Sequence, residues 1–263
     1  MTDGPPRIFD HKARALHRAR ADGGDGFLAN EARAGLKERL AGVVRDFSDR
    51  RELVLDADER IGVAPESADL ITSVFALHAV NDLPGVLVQA RRALKPDGLF
   101  LAALFGGETL TELRQSLAAA EIEIKGGVSP RVAPFADVRD LGGLLQRAGF
   151  ALPVADVERT VVRYRDFAQL IADLRAMGET NALAERSRKP MRRDMLAAAV
   201  AHYARHFCDP DGKLRATFDV VYLTGWAPHE SQQQPLKSGA AKARLADALG
   251  TKELPSGEAP PRR

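Results

Sequence analysis

His78 follows closely on the apolar run Leu70 to Phe75, in the stretch Ala76-Leu77-His78-Ala79-Val80-Asn81-Asp82. An imidazole can take or return a proton near neutral pH, and the loop after a strand is where an open α/β sheet places its ligands. His78 is therefore a catalytic candidate; a hydrogen bond that merely fixes the loop is the equal alternative. Glu108 is the second candidate. Gly106 and Gly107 let the chain turn sharply after the apolar run Leu99 to Phe105 and would hold its carboxylate over the same crevice. Its plainer role is to cap the next helix, where the helix dipole favours a negative charge. Asp56 and Asp58 follow another apolar segment and are candidates for hydrogen bonds to a ligand, each being otherwise an exposed strand-end carboxylate.

These residues need elements to hold them. Leu70 to Phe75 predicts a short strand, Asn81, Asp82 and Pro84 open a helix, and Lys95-Pro96-Asp97-Gly98 closes it with a turn. Leu99 to Phe105 then predicts a buried strand of the kind found in parallel sheets. Helical spacing predicts helices over Thr109 to Ile122 and Val138 to Ala148, and strands follow at Ala151 to Tyr164 and Thr217 to Trp226. Between the last two lies a helical insertion, Phe167 to Phe207, in which Met177-Gly178-Glu179-Thr180-Asn181 is a polar turn between two amphipathic segments. Two helices, Asp10 to Ala21 and Phe27 to Asp46, precede the sheet; Gly23, Gly24 and Gly26 read as a break between them, because no apolar strand leads into them.

Composition narrows the class. The chain has 263 residues, 45% hydrophobic and 28% charged, enough for one sizeable core. A net charge of +2 implies no strong field for nucleic acid or a membrane, and the cluster Arg186, Arg188, Lys189, Arg192 and Arg193 reads as a solvated loop. The single cysteine, Cys208, excludes an internal disulfide and a thiolate zinc site, and no metal centre is expected. No signal peptide and no membrane-length apolar run is evident, so the reading is cytoplasmic.

The wording Leu77-His78-Ala79-Val80-Asn81-Asp82-Leu83-Pro84, Leu94-Lys95-Pro96-Asp97-Gly98, Gly106-Gly107-Glu108-Thr109-Leu110, Ser129-Pro130, Met177-Gly178-Glu179-Thr180-Asn181 and Gly225-Trp226, in this order, resembles the class I S-adenosylmethionine-dependent methyltransferases. More narrowly it resembles the methyltransferase-like complex I assembly factors, and less closely the malonyl-acyl-carrier-protein methyltransferases of biotin synthesis. The resemblance implies a Rossmann-like α/β fold, S-adenosylmethionine as cofactor, Asp56 and Asp58 as contacts to its adenosine, and a respiratory complex I subunit as partner. Three regions are expected: residues 1–50 as N-terminal helices, 51–229 as a shortened domain resembling the methyltransferases with the insertion at 167–207, and 230–263, polar and proline-rich in composition, as a largely disordered tail with a short helix at Leu245 to Leu249.

The glycine-rich turn that the family places after its first strand is absent between Ser48 and Asp69. Two alignments stay open. Either Glu52 to Asp56 is the first strand with its glycine loop eroded, or Ala57-Asp58-Glu59 matches the acidic segment near the adenine and earlier strand-helix units are missing; spacing to Asp69 favours the second. Two functions follow: a methyltransferase-family enzyme, including one that modifies an arginine of a partner subunit, or an inactive assembly scaffold. A shortened sheet would expose a strand edge, so self-association or a bound partner is expected.

Overall fold

The structure, a computed structural model, describes residues 7–21, 26–233 and 250–251. Met1–His229 form one compact unit and Glu230–Arg263 a second. The expected helix at Leu245 to Leu249, most of the polar tail, and Gly23 and Gly24 lie outside the described residues.

The central sheet has five strands in the order β1-β2-β3-β5-β4. β1 (Arg50–Glu52), β2 (Ala68–Val74) and β3 (Leu94–Gly106) run parallel, and β5 (Leu214–Trp226) is antiparallel to both β3 and β4 (Ala151–Tyr164). The fold is α/β. β3 explains its own apolar sequence: Leu99, Leu101, Ala103 and Phe105 enter one core, and Phe100, Ala102 and Leu104 enter the other. Successive side chains of a strand point to opposite faces, so a strand covered on both sides must be apolar throughout.

One face is covered by α3 (Leu83–Ala93) and α5 (Val138–Arg147), through Val86, Leu87, Leu141 and Leu145. The other carries α2 (Phe27–Ala41), α4 (Thr111–Lys125) and the inserted helices α6 (Phe167–Ala176) and α7 (Arg193–His206). α2 is pressed onto β5 at a glycine: a methyl group on Gly35 would lie 2.7 Å from the Tyr222 ring, over which Arg39 stacks at 3.6 Å. The N-terminal helices thus belong to the same core as the sheet.

Three local expectations change. The strand expected at Glu52 to Asp56 is Arg50–Glu52; Leu53 still donates its N–H to the Thr72 carbonyl, and the chain then turns away. Lys95 to Gly98 lies inside β3, as an irregularity in its pairing with β2 that Asp97 allows with φ +60°. α2 ends at Ala41 rather than Asp46. The sheet has two edges: β1, only Arg50, Arg51 and Glu52 long, a short charged edge of the kind that resists pairing, and β4, fourteen residues long with Leu152, Val154, Val157 and Val161 exposed along it.

Candidate active site

β2 ends at Val74, and Phe75 takes a left-handed conformation with φ +48°, which turns the chain into a short 3-10 helix at Leu77–Ala79. A left-handed residue with a large side chain is rare and needs support from its surroundings. Here the Phe75 carbonyl accepts hydrogen bonds from Arg14 and Arg18, both on α1 (His11–Arg20). The turn buries His78, whose ring stands 4.9 Å from the ring of Phe105 and 6.1 Å from that of Phe135.

Glu179 arrives from the opposite side, in the turn after α6. Gly178 has φ +72°, and a Cβ there would stand 3.1 Å from the Arg18 Cα, so glycine is required both by conformation and by the close approach of α1. In the same turn Asn181 donates to the Pro130 carbonyl and accepts from the Leu183 N–H. Glu179 Oε2 is 3.0 Å from His78 Nε2 and 3.4 Å from Arg14 Nη1, with Arg18 at 3.8 Å from the other oxygen. Only 2% of the His78 side chain, 12% of Arg14 and 15% of Glu179 are exposed, so the group is largely buried.

The charges assign the protons. Burial opposes ionisation of Glu179, but the hydrogen bond from His78 and the guanidinium charges of Arg14 and Arg18 outweigh it and hold its carboxyl below the ordinary carboxylate range, so it is a carboxylate. A carboxylate only accepts, hence Nε2 of His78 carries the hydrogen. Burial also moves His78 below its ordinary value, against the pull of Glu179, and the neutral ring follows. The two directions compete; burial wins at His78, and Arg14 supplies the countercharge. Nδ1, buried and without a hydrogen-bond partner, is left with a free lone pair.

Two cavities meet here. The larger, about 700 Å³, lies between α1, α2 and the segment from Glu52 to Ala57. The smaller, about 200 Å³, is mainly apolar and includes His78, Phe135 and Phe218 in its wall. Arg14, Ala79, Phe105 and Glu179 line both.

The candidates separate accordingly. His78 lines the smaller cavity. Asp56 lines the larger one, and its Oδ1 accepts from the N–H groups of Asp58 and Arg60, closing a turn. Asp58 is exposed and lines neither cavity; its neighbour Glu59 is the buried acid, accepting from the N–H groups of Asn81 and Asp82. Glu108 is not over the crevice. Its N–H is held by Asp219, its side chain is exposed, and the N-cap of α4 is Leu110, so it does not cap that helix through its side chain either. The buried acid of that region is Glu112, one turn on, which accepts from the Thr217 N–H and hydroxyl. Glu179 and Arg14 are the residues the sequence did not assign; the fixed wording around Gly178 was the available signal.

Cys208 is half-buried, and no cluster of metal ligands occurs among the described residues. No described helix is long and apolar enough to cross a membrane. Arg186 and Arg188 pair with Asp10, the N-cap of α1, so part of the basic cluster has a structural use.

The chain is similar in sequence to known proteins. The "Arginine-hydroxylase NDUFAF5, mitochondrial" of Dictyostelium discoideum is 44% identical over 200 residues, covering 76% of this chain and 46% of that protein. The Homo sapiens protein of the same name is 44% identical over 194 residues, covering 74% and 56% respectively. A malonyl-[acyl-carrier protein] O-methyltransferase of Laribacter hongkongensis is 38% identical over 204 residues, covering 77% and 66%. The chain spans about half the length of the arginine-hydroxylase relatives it matches. Their mitochondrial designation overturns the generically cytoplasmic location expected from the sequence. The methyltransferase-domain family matches residues 14–153, more than half of the chain and the stretch that carries Arg14, β2 and the His78 turn, and to that family this protein belongs.

Proposed function

We propose that the larger cavity binds S-adenosylmethionine and that the protein serves respiratory complex I assembly, with an arginine of a partner subunit as the group presented to the His78 and Glu179 pair. The observation that carries this reading is the wall shared by the two cavities at Arg14, Ala79, Phe105 and Glu179. A transfer needs a donor compartment and an acceptor compartment that touch at one place, so that the reacting groups are held in line.

The residues present fit the cofactor. The cavity is within the usual range for such ligands, about 300 to 1,000 Å³. Glu52 and Asp56 offer carboxylates on one flank for ribose hydroxyls, Lys12 and Arg18 offer cations on the other for the amino-acid carboxylate, and Leu53 and Phe75 offer apolar wall. The cofactor, when bound, supplies an electrophilic methyl group. The protein itself buries His78 and leaves its Nδ1 without a hydrogen-bond partner, so its lone pair is available to accept a proton. The names of the arginine-hydroxylase relatives support an arginine as the residue presented, while leaving the reaction carried out on it, methyl transfer or oxidation with an added oxidant, as a matter for activity assay. The Glu52 to Ala57 segment, which runs on from the last residue of β1, forms part of the wall of the larger cavity.

Calorimetric titration of the full chain with S-adenosylmethionine tests the reading. Saturable micromolar binding, weakened in Asp56→Asn, is expected. The absence of measurable heat would sink it and leave the inactive scaffold.

A further inference from the structure

The Arg14 guanidinium is held as a ligand would be held. Its Nη1 and Nη2 each stand 3.4 Å from a different oxygen of Glu179, Nη2 also donates to the Phe75 carbonyl at 3.1 Å, and the His78 ring edge is 3.3 Å away. A planar fork of donors meets a carboxylate and a carbonyl at once, a match that guanidinium makes and a compact ammonium does not. The receiving groups come from the turn after β2 and from the turn after α6, whereas the guanidinium comes from α1. Arg14 also lies where the two cavities join, so its charged end occupies the point at which donor and acceptor would meet.

We infer that Glu179 and the Phe75 carbonyl form a guanidinium receptor beside His78, occupied in this structure by the chain's own Arg14, and that its external ligand is an arginine side chain competing with Arg14 for the same seat. The inference deepens the proposed function by specifying how the acceptor is recognised, and rests on that reading only for the origin of the arginine. Removing Arg14 leaves Glu179 a buried carboxylate with Arg18 as its remaining close cation, at 3.8 Å. An underpaired buried charge binds a matching cation strongly.

Titration with ethylguanidinium, without cofactor, tests it on the full chain. Arg14→Ala is expected to bind ethylguanidinium at least tenfold more tightly than the unaltered protein does and at least tenfold more tightly than it binds ethylammonium. Adding Glu179→Gln is expected to remove that preference. Equal binding by the unaltered and Arg14→Ala proteins, or equal affinity for the two cations, would overturn the receptor. Arg14→Met, which keeps most of the stem, repeats the measurement if Arg14→Ala fails to fold. If both are unfolded, refolding on addition of ethylguanidinium supports the receptor and failure to refold counts against it. Because no cofactor is present, a negative result here leaves the S-adenosylmethionine reading standing, and the absence of cofactor binding leaves this result standing.

Discussion

The Nε2 of His78 and the Oε2 of Glu179 lie 3.0 Å apart although 101 residues separate them in the chain. The contact ties the end of β2 to the inserted helices, and α1 completes it with Arg14 and Arg18. Three segments distant in sequence therefore share one buried charge balance. Removing a single member should be felt by all three.

Glu179→Ala should destabilise the protein by about 3 kcal/mol, since removing one partner of a buried pair leaves the other charge uncompensated. Urea unfolding monitored by circular dichroism measures the loss. A change below about 0.5 kcal/mol, the range of ordinary surface substitutions, would contradict the charge balance described here.

Stability should fall in acid. Burial opposes ionisation of Glu121, but hydrogen bonds from Arg131 and Ser129 outweigh it and hold its carboxyl at about 2, as the corresponding balance does for Glu179. Both are depressed from 4.5, so the unfolded chain takes up these protons first as the pH falls. Their contribution is complete above pH 4.5 and is lost progressively toward about 2. His78, held below its ordinary 6.5 mainly by burial, adds to the decline once the unfolded state protonates. Urea midpoints across this range should drop steadily, with a shallower slope in Glu121→Gln; an unchanged slope in that variant would refute the assignment.

Asp56 and Asp58 should behave differently. Asp56 lines the larger cavity and Asp58 is exposed outside it. Asp56→Asn keeps the oxygen that closes the turn and should weaken nucleoside binding by about tenfold, the worth of one strong hydrogen bond to a charged group. Asp58→Asn should leave the affinity unchanged. Calorimetry on the two variants checks this, and the reverse order would relocate the ligand.

Gly35→Ala should cost about 1 to 3 kcal/mol, the usual penalty for overfilling a close-packed contact, because the new methyl meets the Tyr222 ring. Thermal unfolding would register it. A neutral or stabilising change would mean that α2 moves freely against β5.

Much of the scaffold was legible. The uninterrupted apolar run Leu99 to Phe105 reports a strand buried on both faces, the shorter run Leu70 to Phe75 reports a strand even with Thr72 and Ser73 inside it, and Asp82 before Pro84 reports the start of α3, where its side chain accepts from the Gly85 N–H. These signals are local, and local geometry answers to them. The same reasoning placed His78 just beyond a strand end. It misplaced Glu108, because whether a carboxylate after a glycine pair faces a crevice depends on Asp219, a residue of β5 that fixes the Glu108 backbone from 111 positions away.

The sequence by itself determined the alternation of helices and strands, the family, and the presence of an unusual polar turn around Gly178. Only the tertiary structure decided what that turn is for. Glu179 acquires meaning once His78, Arg14 and Arg18 surround it out of water, and no periodicity within any one segment encodes that meeting. Secondary structure follows from neighbours along the chain, whereas a buried charge must be balanced by whichever groups the fold brings beside it.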